Sequence, residues 1–405
     1  MKRILLLAMV FALAGSAFAF DVKTDAKQDY PTFKVNGWLK LTYMDTLYHD
    51  ALVTYPAGFE AKDAAITVSG DAWSNLAYRI CLSANKATKA GTSTVYATWL
   101  FDAYADWKPS KLYSFRVGQY KRPFGYEQML AATSMDFVSA AQLTGKFNAS
   151  NREVGVMGFG VWNDLNYSLS VGNGSPYNEK DANPSKTVVS RIVYAPLAGM
   201  TVGGSVEYGT QNTAGKSYYN RHAGLDVNYE RGKLFARGEI MIGNDDKLNV
   251  DTTSFFSTIK TFHTDTLIRG VYDTTTSTWN DTVYTRPDSV MTKKYYKFSE
   301  VAGKLMRGAY ITVGYVPMQK LKVSVRGDLY REDYSWKLTK VNISPTVTDT
   351  VWVKTEARTT VWTLGADYFL NANTKVSLNY DIKQEDLVYR PYKNNILSAQ
   401  LQVKF

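Results

Sequence analysis

Charged side chains are concentrated where a strand-like segment runs into a long loop. The segment begins at Ser114 as SFRVGQY and continues into KRPFGYE. Rings of Lys and Arg favour anions in pores, so basic side chains here could set the charge of a constriction. They could equally form ion pairs with carboxylates such as Asp136 or Glu153. In a pore lined by this loop, the narrowest part, or constriction, is expected to be formed by Lys121, Arg122, Glu127, Lys146 and Arg152.

Other chemistries find little support in the sequence. A serine hydrolase needs a histidine to activate its nucleophile, and the histidines are His49, His222 and His263. His49 and His263 fall in loops. His222 begins a strand, and no Ser or Asp stands near it at a spacing that suggests a catalytic site. Three scattered histidines and Cys81 are too few for a metal site. We therefore expect neither an enzyme nor a bound metal or cofactor.

The first 19 residues have the pattern of a secretory signal peptide. Lys2 and Arg3 precede an apolar run, and Ala17-Phe18-Ala19 resembles a cleavage site. The apolar run is shorter than the roughly 20 residues that a membrane-spanning helix needs. The pattern predicts cleavage after Ala19 and export from the cytoplasm.

The net charge and the cysteine content of the chain limit which binding partners and which stabilising bonds are expected. Of the 47 basic residues, 45 remain after removal of Lys2 and Arg3, and with 37 acidic residues they give a net charge of +8. Such an excess attracts anions or lipid head groups, and export argues against nucleic acid as a partner. A single cysteine, Cys81, excludes an intramolecular disulfide framework.

Short alternating segments dominate the chain and predict about sixteen β-strands. In FKVNGWLKLTY, for example, Phe33 and Val35 share one face, and Lys34 and Asn36 share the other. Short periplasmic turns that alternate with longer outer loops are typical of outer-membrane barrels. Longer connections indeed alternate with seven short ones, at 71–75, 108–111, 163–164, 196–200, 230–233, 317–320 and 371–373.

The polar faces of these strands predict the wall of a pore. Sixteen strands enclose more space than side chains can fill, so the apolar faces should point to lipid and the polar faces to a wet lumen. Basic residues slightly outnumber acidic ones on the polar faces, which favours a weak preference for anions. The basic wall residues are Lys34, Lys40, Arg79, Arg116, Arg237, Lys322, Arg326, Lys375 and Lys383, together with Arg191 and Lys404.

Three further segments carry predictions. The stretches 244–302 and 332–356 are expected to be large outer loops, and their alternating Thr and apolar residues suggest hairpin extensions. The chain ends on Phe405, with Leu397, Leu401 and Val403 on the same strand face. A terminal aromatic on an amphipathic last strand resembles the signal read by the barrel-assembly machinery.

The segment around Ser114 also carries a family resemblance. Gly118, Gln119, Pro123, Phe124 and Gly125, together with Lys121, Glu127, Arg152 and Gly155, resemble the phosphate-selective porin O/P family. The resemblance implies a sixteen-stranded barrel, usually a homotrimer, whose third outer loop folds into the lumen. It also implies that lysines and arginines line the path of an anion.

These observations predict one all-β domain, a transmembrane antiparallel barrel over 20–405 in the bacterial outer membrane, with a constriction loop at about 121–151. The expected function is passive diffusion of small hydrophilic solutes, with anions, including phosphate, preferred. Residues 128–150 contain no arginine and no tyrosine, so no dense basic ladder is predicted there. The alternative is a structural or adhesive barrel with a plugged, non-conducting lumen.

Overall fold

Sixteen antiparallel strands form a closed barrel in the computed structural model. The described residues are 30–49, 57–90, 93–147, 152–181, 184–213, 216–247, 267–273, 278–284, 293–294, 298–338, 341–344, 347–349, 356–387 and 390–405. The expected signal peptide, 1–19, lies outside them, as does His263. The predicted strand number and fold class are confirmed.

The strands follow one another around the ring in chain order, and β1 pairs with the last strand to close it. The barrel strands are β1 (Lys34–His49), β2 (Gly58–Trp73), β3 (Leu76–Ala90), β4 (Ser93–Trp107), β5 (Ser114–Lys121), β6 (Arg152–Trp162), β7 (Leu165–Gly172), β8 (Thr187–Leu197), β9 (Met200–Thr213), β10 (Lys216–Arg231), β11 (Leu234–Lys247), β15 (Phe298–Met318), β16 (Leu321–Leu338), β19 (Glu356–Asn371), β20 (Thr374–Leu387) and β21 (Arg390–Lys404).

Side-chain polarity along each strand is inverted relative to a water-soluble barrel. On β11, Ile240 and Ile242 are 58% and 53% exposed, whereas Glu239 and Met241 between them are 3% and 1% exposed. Successive side chains of a strand point to opposite faces, so the apolar residues face outward and the polar ones inward. This arrangement confirms the predicted direction of the pattern.

The short connections match the seven that the sequence predicts, and the barrel strands extend into the two stretches expected to be large outer loops. The ladder continues through the pair Asp245–Lys304, so β11 reaches Lys247 and β15 begins at Phe298. Likewise, Asp333 pairs with Glu356. Polar residues beyond the apolar band therefore still pair as strands at the ends of the stretches 244–302 and 332–356.

Parts of these two connections form small sheets of their own. The strands β12 (Leu267–Asp273), β13 (Thr278–Tyr284) and β14 (Lys293–Lys294) make one sheet, and β17 (Val341–Ser344) and β18 (Val347–Asp349) make the other. Both contain antiparallel hairpins. The alternation of Thr with apolar residues therefore did indicate hairpins.

Helical structure occurs in the described residues between β5 and β6. The helix α1 spans Gln142–Phe147, and single 3-10 turns span Glu127–Met129 and Ala132–Ser134. No helix among the described residues is long and apolar enough to cross a membrane. The segment from 122 to 147 is hereafter the β5–β6 segment.

Closure of the barrel depends on close packing at Gly37. Its amide donates to the carbonyl of Phe405 at 2.8 Å, and the amide of Phe405 donates back at 3.1 Å. A Cβ at Gly37 would lie 2.4 Å from the carbonyl oxygen of Ala65 and 2.6 Å from the Phe405 ring. No added atom fits without moving the backbone of β2.

We predict that Gly37→Ala destabilises the folded barrel by about 1–3 kcal/mol, the usual cost of overpacking. The measurement is the urea midpoint of the purified protein in detergent, read by its shift in gel mobility. Gly145→Ala is the matched control, because a Cβ there has no heavy atom within 4 Å. Equal midpoints for the two variants would contradict the prediction.

Candidate functional site

The β5–β6 segment is held to the polar face of the barrel by hydrogen bonds to many strands. At its start, the amides of Gly125 and Tyr126 donate to Ser205 on β9 at 3.1 Å and to Glu239 on β11 at 2.7 Å. Near its end, the amide of Gln142 donates to Asp328 on β16 at 2.5 Å. Backbone groups in the segment thus depend on buried carboxylates of the wall.

The middle of the segment is held on another set of strands through its carbonyl groups. Lys40 on β1 donates to the carbonyl of Ala132 at 2.7 Å. Gln402 on β21 and Lys375 on β20 donate at 3.0 Å to the carbonyls of Thr133 and Met135. A further bond runs from the Val138 amide to the side-chain oxygen of Asn379 at 2.6 Å.

Arg122 begins a buried chain of charges. Its guanidinium donates to Glu207 on β9 at 2.8 Å, and Arg122 is only 1% exposed. The second oxygen of Glu207 lies 3.8 Å from Nδ1 of His222, whose Nε2 lies 2.7 Å from Asp245. Arg122 therefore anchors the segment to the wall through a buried ion pair.

Both ends of the segment pack on the same histidine. The ring of Phe124 lies 6.0 Å from the ring of His222, and the ring of Phe147 lies 5.3 Å from it, edge-on. Phe124 and Phe147 belong to a buried apolar cluster with Leu143, Met241, Met306 and Tyr330. His222 and its carboxylate partners thus lie where the segment enters and leaves.

Glu127 links the two halves of the segment to each other and to the wall. It accepts hydrogen bonds from the Ala141 amide at 2.8 Å and the Thr144 hydroxyl at 2.5 Å. It also lies 3.4 Å from Arg326 on β16, which donates to the carbonyl of Ser139 at 3.1 Å. Glu127 therefore helps to position α1, together with Asp328, which accepts from the Gln142 amide.

Asp136 is the second acidic anchor. It pairs with Arg237 on β11 and, at 3.1 Å, with Lys322 on β16. Lys322 and Lys375 also pair with Asp367 at 2.7 Å and 3.3 Å. Four residues of the predicted pore wall, Arg237, Lys322, Arg326 and Lys375, thus hold the segment in place.

Other predicted residues occupy separate positions. Arg116 forms two hydrogen bonds with Asp106, at 2.7 Å and 2.9 Å, and lies over the ring of Tyr104. Lys383 pairs with Glu385 at 2.8 Å, and Lys146 is half-exposed with Glu332 at 3.5 Å. Lys34 is exposed at the start of β1. The structure does not bring these four residues to one place.

Four other predicted basic residues do come together. Arg79 and Arg152 share Asp102, at 3.0 Å and 2.8 Å, and Lys40 lies 3.6 Å from Asp63. Lys121 lies opposite Arg152 in the sheet and donates to the carbonyls of Gln128 and Leu130. We call Lys40, Arg79, Lys121 and Arg152 the basic cluster; with Asp63 and Asp102 these residues sum to +2.

A β-bulge at Phe101 shapes this region, and the sequence pattern contains only a weak sign of it. Cys81 pairs with Asp102 and Leu82 with Leu100, so Phe101 is an extra residue on β4. It is buried, and its ring lies 4.3 Å below the Arg152 guanidinium and 5.6 Å from Tyr177. Sequence reasoning missed Asp63, Phe101 and Tyr177; the one available sign was the lost alternation at Leu100-Phe101.

Burial also affects the ionisation of the segment. It raises the pKa of the Tyr126 phenol to about 12, so this side chain remains neutral at physiological pH. Its hydroxyl donates to Asn228 at 3.4 Å. Tyr126 therefore adds polarity to the segment without adding charge.

These features define a closed β-barrel of the outer-membrane type. A family model described as phosphate-selective porin O and P matches residues 33–249, more than half of the chain. The chain belongs to this family, and it is an outer-membrane porin. No curated protein matches the chain.

Solved porins share the fold. Outer-membrane-expressed OmpT of Vibrio cholerae superposes with a TM-score of 0.53 at 9% identity, over 94% of this chain and 99% of OmpT. A trimer form of in-vitro folded OmpT gives 0.52 at 9% identity, over 92% and 99%. An anion-selective porin from Comamonas acidovorans gives 0.52 at 9% identity, over 92% and 99%. At these identities the likeness shows the fold alone.

We predict that Glu127→Gln loosens the β5–β6 segment. The change leaves the buried charge of Arg326 without its acidic partner in the segment, and breaking a buried pair costs about 3–5 kcal/mol. Fluctuations of single-channel current should therefore increase, and the urea midpoint should fall. The control is Glu179→Gln, since the Glu179 side chain is exposed. Current noise no different from that control would refute this role for Glu127.

Proposed function

We propose that this porin lets small hydrophilic solutes diffuse passively and that its lumen prefers anions. The observation that carries the proposal is the basic cluster, whose four cations face two carboxylates. Basic groups lining a pore lower the energy of a passing anion and raise that of a cation. The side chain of Arg79 is 32% exposed, which leaves part of its charge accessible to solvent.

The β5–β6 segment is proposed to narrow the lumen beside the basic cluster, as the third outer loop. It touches β9 and β11 at its start and β1, β20 and β21 in its middle. A chain that touches the polar faces of strands on different sides of a closed ring passes through the interior. Lys121, at one end of the segment, then lies on the rim of the narrowed opening.

Small inorganic anions are the proposed solutes, with phosphate as the candidate for preference. Lys121 and Arg152 lie directly opposite each other, and like charges in that relation repel. An anion between them relieves this repulsion, and a phosphate, with more acceptor oxygens and more charge than chloride, relieves it further.

Assembly and targeting complete the proposal. The mature chain begins at Phe20 after removal of the signal peptide. The barrel-assembly machinery recognises the last strand, which ends at Phe405. In the membrane, lipid surrounds the apolar exterior of the barrel. The protein assembles as a homotrimer, as the trimer form of OmpT does. We assign no catalytic role to His222, which is buried in ion pairs with Glu207 and Asp245.

The test of anion preference is the reversal potential across a planar bilayer in a potassium chloride gradient. We predict that Lys121→Glu shifts it toward cations, because the basic cluster changes from +2 to 0. One unit charge at 4 Å is worth about 1 kcal/mol even in water, so the permeability ratio should change severalfold. Absence of any conductance would favour the plugged, structural barrel.

Lys320→Glu is the matched control, because Lys320 is exposed in the short turn between β15 and β16. It changes the total charge equally but lies away from the basic cluster. A shift as large as that of Lys121→Glu would show that overall charge, and not the cluster, sets selectivity.

The test of phosphate preference is block of chloride current by added phosphate. We predict block in the wild-type protein and a weaker block in Lys121→Gln, which keeps the length of the side chain but loses its charge. Block that is equal in the two proteins would place any phosphate site elsewhere.

A further inference from the structure

Three arginines lie side by side on the outer surface of the barrel. Arg307 on β15 pairs with Arg331 on β16, which pairs with Arg358 on β19. Neighbouring strands are about 4.8 Å apart, so the three positions span roughly 10 Å. Asp386 lies opposite Arg358 on β20 and ends this arginine row.

Alternation shows that the row faces outward. On β15, Ile311 and Val313 are 59% and 49% exposed and have the same parity as Arg307, whereas Met306 and Tyr310 are buried. On β19, Trp362 and Leu364 are exposed with the same parity as Arg358. The arginine row therefore belongs to the lipid-facing surface and takes no part in the lumen.

The row marks one edge of the apolar band. The turn between β15 and β16 is short, whereas the connection from β16 to β19 is long, and the arginines are near the long connection. Long connections lie on the outer side of the membrane. An arginine facing the middle of the bilayer costs about 2–4 kcal/mol, and one at the interface costs about 0–1. The row is thus at the level of the outer-leaflet head groups.

An apolar groove lies next to the row, toward the middle of the bilayer. It has a volume of about 950 Å³ and reaches from β8 to β16, with Arg307 and Arg331 at its border. Small residues, Gly204, Ala223 and Ala309, contribute to its lining, and larger outward residues such as Leu225 and Ile240 stand beside them. A groove of small residues between larger outward side chains has the shape to accommodate a hydrocarbon chain.

We propose that the arginine row and this groove bind one phosphorylated lipid of the outer leaflet. Its phosphate is bound by Arg307, Arg331 and Arg358, and one of its acyl chains lies in the groove. Like charges directly opposite each other in a sheet are unfavourable, and a phosphate among guanidinium groups forms strong charge-assisted hydrogen bonds. Charge complementarity at the head-group level, directly above an apolar groove, selects a lipid over a soluble anion.

The experiment is native mass spectrometry of the full-length mature protein in detergent, with diphosphoryl lipid A as the probe. The wild-type protein should retain the lipid, and the double variant Arg307→Gln, Arg331→Gln should bind it about tenfold more weakly, since charge-assisted hydrogen bonds are lost. The control, Arg231→Gln with Lys233→Gln, removes two exposed charges at the short turn between β10 and β11 and should bind as the wild type does.

Two further arms test the head group and the groove separately. A phosphate-free form of the lipid should bind more weakly than the probe, and Ala309→Phe, which fills the groove, should weaken the probe while the arginines remain. Channel conductance should be unchanged in all variants, which shows that they are folded and keeps the lipid measurement independent of the pore.

Equal binding by the double variant and its control would overturn the proposal. So would complete displacement of the lipid by excess inorganic phosphate, because the site would then be one for a free anion. A change of oligomeric state in Ala309→Phe would identify the groove as a contact between copies of the chain, and would also overturn it.

Discussion

Closing sixteen strands into a ring creates an interior that side chains cannot fill, and most other features follow from that constraint. The wall must be polar inside and apolar outside, so charges accumulate on the inner face, where many of them are buried by neighbouring side chains. Each such charge is costly unless a partner is near. The structure meets this demand with ion pairs along the wall, such as Arg191 with Asp226 and Arg116 with Asp106.

The β5–β6 segment is held by the same kind of interaction. Its contacts are to charged groups that the wall already carries, including Glu207, Glu239, Arg326 and Asp328. A buried ion pair contributes little net stability compared with apolar packing, but losing one partner is expensive. The network therefore fixes where the segment lies more than how stable the barrel is.

The sequence predicted the barrel well because its signals are periodic and repeated. Alternation identified the strands, and the regular change between short and long connections was typical of a transmembrane barrel. Roles of single side chains were harder to predict. Arg122 and Arg326 have the same residue type as Arg79, but they hold the segment, whereas Arg79 belongs to the basic cluster. Only the three-dimensional path of the segment separates these roles.

The bulge at Phe101 shows the same limit. One extra residue changes which side chain faces inward, and the pattern near Leu100 contains little warning of it. Pairing partners such as Asp63 and Asp367 were also hidden, because the register between neighbouring strands decides that Lys40 lies opposite Asp63 and Lys322 opposite Asp367. Long-range electrostatics is not encoded in local periodicity.

The middle of the β5–β6 segment is held by its carbonyl groups, at Ala132, Thr133 and Met135. Every residue type has such a carbonyl, so the anchors do not depend on which side chains are present there. Mutation can therefore enlarge, shrink or charge these side chains while the backbone keeps its path. The surface that the segment presents can evolve, or be engineered, without rebuilding the scaffold that supports it.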